Sequence, residues 1–94
     1  MIESQSSDFV RIDPIDAACD RFESELRDGG APRIEAYLAA ADEARRTVLF
    51  GELLALEIDW RRDVGDVPQG IEYEERFPDR VATARQAFAR MRHI

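Results

Sequence analysis

The sequence predicts an all-α fold, a small bundle of about five helices of which three are longer and two are short. Apolar residues recur at spacings of three and four, which is the pattern of helices that bury one face. No segment alternates apolar and polar residues for long enough to predict a strand. Glycine and proline interrupt the helical pattern at 29–32 and again at 65–68, where helices are expected to end and restart.

The composition predicts one folded domain. The chain has 94 residues, of which 45% are hydrophobic and 35% are charged, and these fractions lie outside the range of disordered chains. We expect a flexible N-terminal tail at 1–8, a single helical domain at 9–92 and a short C-terminal tail at 93–94. Because no apolar run reaches the ~18 residues of a membrane span and no signal-peptide pattern is present, a cytoplasmic location without membrane contact is predicted.

The first helix is predicted to begin at Pro14, where the missing N–H costs nothing, with Asp13 as its N-cap. Ile15, Phe22 and Leu26 follow at helical spacing on one stripe. We therefore assign these three residues to the core.

The second helix is short and is predicted at 32–41, and the third is predicted at 43–63. The third is apolar over more than half of its circumference, which predicts a central helix packed on two sides. Its apolar positions are Val48, Leu49, Phe50, Leu53, Leu54, Leu56, Ile58 and Trp60. The predicted core residues of this helix are Leu49, Leu53, Leu56 and Trp60. Gly51 inside a helix costs ~1 kcal/mol relative to alanine, so a neighbouring helix is expected to approach closely there.

A short fourth helix is predicted at 71–77. It ends before Pro78, because proline disfavours helical geometry at the residue that precedes it. A fifth helix is predicted at 79–91. Phe77 and Phe88 are assigned to the core on helical spacing.

Two similar joints lie 36 residues apart in the sequence. Each has a glycine, a proline three residues later and a tyrosine five residues after the proline. The six residues are Gly29, Pro32 and Tyr37 in the first joint and Gly65, Pro68 and Tyr73 in the second. We interpret them as structural joints: glycine ends a long helix, proline begins a short one and tyrosine docks it. An internal two-fold repeat and convergence on common helix-ending patterns are both open.

Residues suited to catalysis or metal binding are few. His93 is the sole histidine and has no oriented neighbour at the chain end, and Cys19 lies on the apolar stripe of the first helix, which favours a core role. The acidic segment 63–74 fails as a calcium loop, because Gly65 stands at a ligand position and Pro68 where the turn needs glycine. No catalytic, cofactor-binding or metal-binding residue is predicted, and no cofactor is expected.

Aromatic and arginine side chains are the candidates for interaction. Tyr37 and Tyr73 suit either a protein interface or the core, since a phenol buries its ring and keeps its hydroxyl hydrated. Two arginine pairs on the third helix, Arg45 and Arg46 and then Arg61 and Arg62, suit phosphate contacts in a DNA-binding helical domain. The net charge of −7 argues against nucleic acid as a partner and favours an ordinary solvated surface for these arginines.

Several motifs in order resemble the helical segment that precedes the catalytic domain in planctomycete-type bacterial serine/threonine protein kinases. They span residues 18–79 and are Cys19-Asp20-Arg21-Phe22-Glu23, Pro32-Arg33-Ile34-Glu35-x-Tyr37-Leu38, Glu52-Leu53-Leu54-Ala55-Leu56-Glu57 and Tyr73-x-x-Arg76-Phe77-Pro78. The catalytic domain itself is absent from these 94 residues, because no Gly-rich ATP loop, HRD or DFG motif occurs in them. An excised N-terminal domain and a stand-alone relative that acts in trans are both open. The resemblance therefore implies no catalytic residues.

What the resemblance implies is a non-enzymatic regulatory or protein-interaction module that works with a kinase domain or another signalling protein. Two alternatives remain at this point. One is a transcription-associated helical domain that binds DNA or a sigma-like factor, and the other is a self-association module that forms a homo-oligomer.

Overall fold

The computed structural model describes residues 14–91, and the predicted all-α bundle is confirmed. Five α-helices and one 3-10 turn make up this part of the chain. In order they are α1 (Pro14–Arg27), α2 (Ile34–Ala40), α3 (Glu43–Asp63), α4 (Gly70–Arg76), the 3-10 turn (Pro78–Arg80) and α5 (Val81–Met91). The predicted tails at 1–8 and 93–94, Asp13 and His93 lie outside the described residues.

Helix α3 is the central element, because α1, α2 and α5 all pack against it. Helix α1 runs beside α3 in the same direction, since Ile15 lies near Leu49 and Leu26 lies near Trp60. The short helices return the chain between the long ones. The second short helix, α4, packs on α5.

Five of the nine predicted core residues are buried, namely Phe22, Leu26, Leu49, Leu53 and Phe77. The other four pack against the core from half-buried positions, namely Ile15, Leu56, Trp60 and Phe88. Val48, assigned to an apolar face of the central helix, is instead 56% exposed. The next residue, Leu49, is 3% exposed, so Val48 is exposed because of the side of α3 on which it lies, next to an open groove that Thr83 and Ala87 of α5 also line.

The predicted start of α2 at residue 32 was wrong by two residues. Arg33 has an extended backbone with φ −109° and ψ 124°, so Pro32 precedes the N-cap and does not open the helix. The end of α2 is held by a residue of the next helix. Arg46 donates from Nε to the carbonyl oxygens of Leu38 at 2.9 Å and Ala41 at 3.1 Å, which satisfies acceptors that a helix end leaves free.

The two joints have the same hydrogen-bond construction. In the first, Gly29 has φ 78° and the N–H of Gly30 donates to the carbonyl of Glu25 at 2.9 Å. In the second, Gly65 has φ 89° and the N–H of Asp66 donates to the carbonyl of Arg61 at 2.8 Å. Each is a Schellman ending, which needs a left-handed backbone that glycine adopts without steric cost. The bounds of α2 and α4 also differ by 36 residues at both ends.

Gly51 faces α5, but the expected tight approach of backbones is not found. A methyl group built at Gly51 would lie 3.8 Å from Cγ2 of Thr83, which is an ordinary van der Waals distance. The site therefore has room for alanine.

Candidate functional site

The two joints converge on one cleft, although 36 residues separate them in sequence. We call it the joint cleft, and its volume is about 350 Å³. Ala31 and Pro32 come from the first joint, Asp66 comes from the second, and Leu26 and Trp60 lie between them at the ends of α1 and α3. Ala31 is held in a left-handed conformation with φ 50°, which is uncommon for a residue with a Cβ.

Glu57 lines the joint cleft and is the buried charged residue of the described chain, with 9% of its surface exposed. Its Oε2 atom accepts two hydrogen bonds, one from the hydroxyl of Tyr73 at 2.5 Å and one from Nη1 of Arg76 at 3.1 Å. A carboxylate removed from water needs such donors, because burial without them is costly. Glu57 is therefore a buried carboxylate that two hydrogen bonds hold in the lining of the cleft.

Arg76 links this carboxylate to α2. Its Nε and Nη2 atoms donate to the two carboxylate oxygens of Glu35 at 2.7 and 2.8 Å. This two-pronged pairing is the geometry that the planar guanidinium favours. The hydrogen bonds from Arg76 lower the pKa of Glu35 to about 2. The ion pair therefore ties α2 to α4 across 41 residues of sequence.

Arg61 organises the second joint. It donates from Nε to Asp66 at 2.7 Å and from Nη1 to Glu72 at 3.0 Å and to the hydroxyl of Tyr73 at 3.1 Å. Its hydrogen bonds lower the pKa values of Asp66 and Glu72 below their usual range. Arg61, predicted to be available for interaction, is thus engaged within the domain.

The two tyrosines have different environments. Tyr73 is 1% exposed, and burial together with its hydrogen bond to Glu57 raises its pKa. Tyr37 is half-buried and packs edge-on against Phe22, with ring centroids 5.3 Å apart. Burial and a hydrogen bond from its hydroxyl to Glu25 raise the pKa of Tyr37 to about 12. Tyr73 therefore belongs to the core, and the interface role considered for it is wrong.

Each tyrosine lies beside one arginine and one glutamate of the preceding long helix. In α1 the arginine comes first in sequence, whereas in α3 the glutamate comes first. Around Tyr37 they are Arg21, whose guanidinium lies 5.8 Å from the ring centroid, and Glu25. The positions 36 residues later are Glu57 and Arg61, and both contact Tyr73. The two joints therefore use the same pair of charged residue types in the opposite order.

The remaining predicted arginines lie away from the joint cleft. Arg45 pairs with Asp42, Arg46 closes the end of α2, and Arg62 is exposed. Three of the four arginines proposed for phosphate contacts are thus used in internal ion pairs or helix capping. Cys19 is half-buried and packs against the core.

Three exposed aliphatic side chains lie close together in sequence at the second joint. They are Val64 at 59%, Val67 at 70% and Ile71 at 57% exposure, and we call them the aliphatic trio. Val48, on α3, is the other large hydrophobic residue exposed within residues 14–91. The trio therefore contains three of the four exposed large hydrophobic residues of this part of the chain.

Two further findings concern residues 14–91. They contain no group of three or more histidine, cysteine, aspartate or glutamate residues placed to hold a metal ion. None of the helices described combines the length and apolarity that crossing a membrane requires.

The sequence analysis assigned no site role to Glu35, Glu57 or Arg76, although all three belong to the motifs that carry the kinase resemblance. For Glu57 a signal existed, because it lies three, four and seven residues after buried positions of α3 and so shares their face. A charged residue at a helix position that faces the core predicts a hydrogen-bonding partner for that residue. Helical spacing gives no comparable signal for Glu35 or Arg76, whose pairing depends on how α2 and α4 meet.

Comparison with protein-family models, with curated proteins and with solved structures finds no match to this chain.

Proposed function

We propose that this chain is a protein-interaction module of serine/threonine kinase signalling, which docks on a kinase catalytic domain through the aliphatic trio. The proposal includes a cytoplasmic setting. The observation that carries it is the exposure of Val64, Val67 and Ile71 at 57–70% within eight residues of sequence. Exposed aliphatic side chains that cluster on a small domain are typical of surfaces that a partner covers.

The backbone that carries the trio is fixed by hydrogen bonds. The N–H of Val67 donates to Oδ1 of Asp66 at 2.7 Å, and the other carboxylate oxygen of Asp66 accepts from Arg61. The N–H of Gln69 donates to Glu72 at 3.0 Å at the start of α4. A preordered surface loses less conformational entropy on binding than a loose one. The second joint is therefore suited to present the trio to a partner.

The charge around the trio indicates what kind of surface fits it. Residues 62–75 contain five carboxylates and one arginine, and the whole chain carries −7. A partner surface with an apolar centre and a basic rim would complement this charge, which raises association rates and excludes acidic competitors. The kinase partner is suggested by the motifs in residues 18–79, since the last motif, which contains Tyr73 and Arg76, lies next to the trio in the sequence.

Binding of the chain to serine/threonine kinase catalytic domains of its own genome tests the proposal, with titration calorimetry as the measurement. The triple variant Val64→Ser, Val67→Ser and Ile71→Ser should weaken binding at least tenfold. Val48→Ser is the matched control, because that valine is equally exposed and lies outside the trio. It should leave binding unchanged.

Three results would overturn the proposal. One is that no kinase domain binds at concentrations up to about 100 μM, at which an interaction with a Kd of ~1 μM would be saturated. Another is that Val48→Ser weakens binding as much as the triple variant does. The third is a homodimer in light scattering that the triple variant abolishes, which would assign the trio to self-association. Salt-sensitive binding to duplex DNA, together with no kinase binding, would favour a nucleic-acid function instead.

A further inference from the structure

We propose that the joint cleft binds an arginine side chain of a partner protein, with Glu57 as the acceptor of its guanidinium. This rests on the proposed function only in taking the ligand to be a protein side chain. The cleft is a separate feature from the aliphatic trio, since none of the three trio residues lines it.

The acceptor is the second carboxylate oxygen of Glu57. Both hydrogen bonds from Tyr73 and Arg76 end on Oε2, and the described residues supply no donor to Oε1. Every fully buried side-chain nitrogen or oxygen in the described part of the chain has a hydrogen-bond partner. Oε1, which has no donor among these residues, is therefore not fully buried, and the cavity that Glu57 lines is the joint cleft. A carboxylate that is nine-tenths buried thus presents one unused oxygen to an open cavity.

The balance of charge around the cleft favours a cation. Arg61 and Arg76 line it, but each is already paired with carboxylates, at Asp66 and Glu72 for the first and at Glu35 and Glu57 for the second. Four carboxylates therefore pair with the two guanidinium groups; Glu57 and Asp66 belong to the cleft lining, and Glu35 and Glu72 lie outside it. An added cation would offset this excess of negative charge, whereas an added anion would increase it.

The walls suit the stem of a long cationic side chain. Leu26, Pro32 and Trp60 contribute apolar surface to the lining of the cleft. The volume of about 350 Å³ is at the small end of ligand sites, so the cleft fits one side chain more readily than a large cofactor. Arginine fits better than lysine, because the guanidinium is planar, is weakly hydrated and stacks on aromatic rings such as that of Trp60.

The chain carries its own reporter of cleft binding, because Trp60 is its single tryptophan. The probe is N-acetyl-arginine amide, titrated while Trp60 fluorescence and the indole N–H signal in NMR spectra are followed. We expect a saturable change in both. N-acetyl-citrulline amide has the same shape without the charge, and it should bind at least tenfold more weakly.

Glu57→Gln removes the acceptor for the probe while it keeps the hydrogen bonds that the fold needs. The amide oxygen of glutamine will stay on the donors of Tyr73 and Arg76, so the NH₂ group will face the cleft, where it cannot accept a hydrogen bond from the probe. Affinity for the arginine probe should fall at least tenfold. Asp59→Asn is the matched control, since it removes an exposed carboxylate of the same helix outside the cleft, and it should change affinity less than twofold.

If Glu57→Gln fails to fold, Asp66→Asn is the second variant. Asp66 is exposed, so this change is expected to keep the fold and to weaken probe binding about threefold. Equal binding of the arginine and citrulline probes would overturn the inference, and so would full probe affinity in a folded Glu57→Gln variant. Because the probe assay needs no kinase domain, its failure leaves trio docking intact. Probe binding without kinase binding would instead remove the proposed function alone.

Discussion

Removal of the Glu35 carboxylate should produce a loss of stability that depends on pH. The guanidinium of Arg76 lowers the pKa of Glu35 from 4.5 to about 2. One pKa unit corresponds to about 1.36 kcal/mol, so the shift sets an upper limit of about 3.4 kcal/mol on the stabilisation. The Glu35 and Arg76 side chains are 36% and 33% exposed, and solvent screening reduces the expected value to about 1 to 2 kcal/mol.

The sign follows from the direction of the shift. Because the folded-state pKa of Glu35 lies below the unfolded value, the stabilisation is fully present above pH 4.5 and is lost as pH falls through 2. Glu35→Gln should therefore lower the free energy of unfolding by about 1 to 2 kcal/mol at pH 7 and by almost nothing at pH 2. Urea unfolding followed by circular dichroism at several pH values measures this difference.

Glu75→Gln is the matched control, because Glu75 is an exposed carboxylate on the same helix as Arg76. Its expected effect is within about 0.5 kcal/mol. The reasoning would be refuted if Glu35→Gln destabilised the chain equally at pH 2 and pH 7. Such a result would mean that packing, and not the ion pair with Arg76, determines the contribution of Glu35.

Four further predictions concern the core, the joints and Gly51. Leu53→Ala should lower the free energy of unfolding by about 2 to 5 kcal/mol, because Leu53 is fully buried in the central helix; a shift under about 1 kcal/mol in urea unfolding would contradict that. Tyr73→Phe removes a donor to the buried carboxylate of Glu57 and should cost about 1 to 3 kcal/mol by thermal melting, whereas no loss would show that water replaces the hydroxyl. Gly65→Ala should lower the free energy of unfolding by about 1 kcal/mol because of its φ of 89°. Gly51→Ala should raise it by up to about 1 kcal/mol, because the added methyl group fits. Calorimetric melting temperatures measure both effects, and a change in the opposite direction would refute the prediction concerned.

Features set by a few neighbouring residues were predictable from sequence. Gly29 and Gly65 end their helices because glycine adopts a left-handed backbone at a lower steric cost than other residues. The break before Pro78 is likewise local, since the preceding Phe77 has a non-helical backbone with φ −127° and ψ 69°. The start of α2 was placed two residues early, because proline precedes an N-cap as readily as it opens a helix.

Burial of individual side chains was predictable in part. Helical spacing identified the faces of α1 and α3, but it does not tell how closely a neighbouring helix covers each side. Val48 is exposed beside an open groove between α3 and α5 although it belongs to the apolar pattern of α3, and Trp60 is half-buried. Ala87, which no apolar prediction singled out, is 2% exposed, because α5 packs close to α3.

The sequence by itself determined the all-α class, the central position of α3 and the two joints with their spacing of 36 residues. Each depends on backbone sterics or on apolar periodicity, which act within one or two helical turns. Tertiary structure alone decided that both joints meet at one cleft, that Arg76 bridges Glu35 and Glu57, and that both hydrogen bonds to Glu57 end on the same oxygen. The physical reason is that charge pairing depends on distances in space, and the helices bring together groups as far as 41 residues apart.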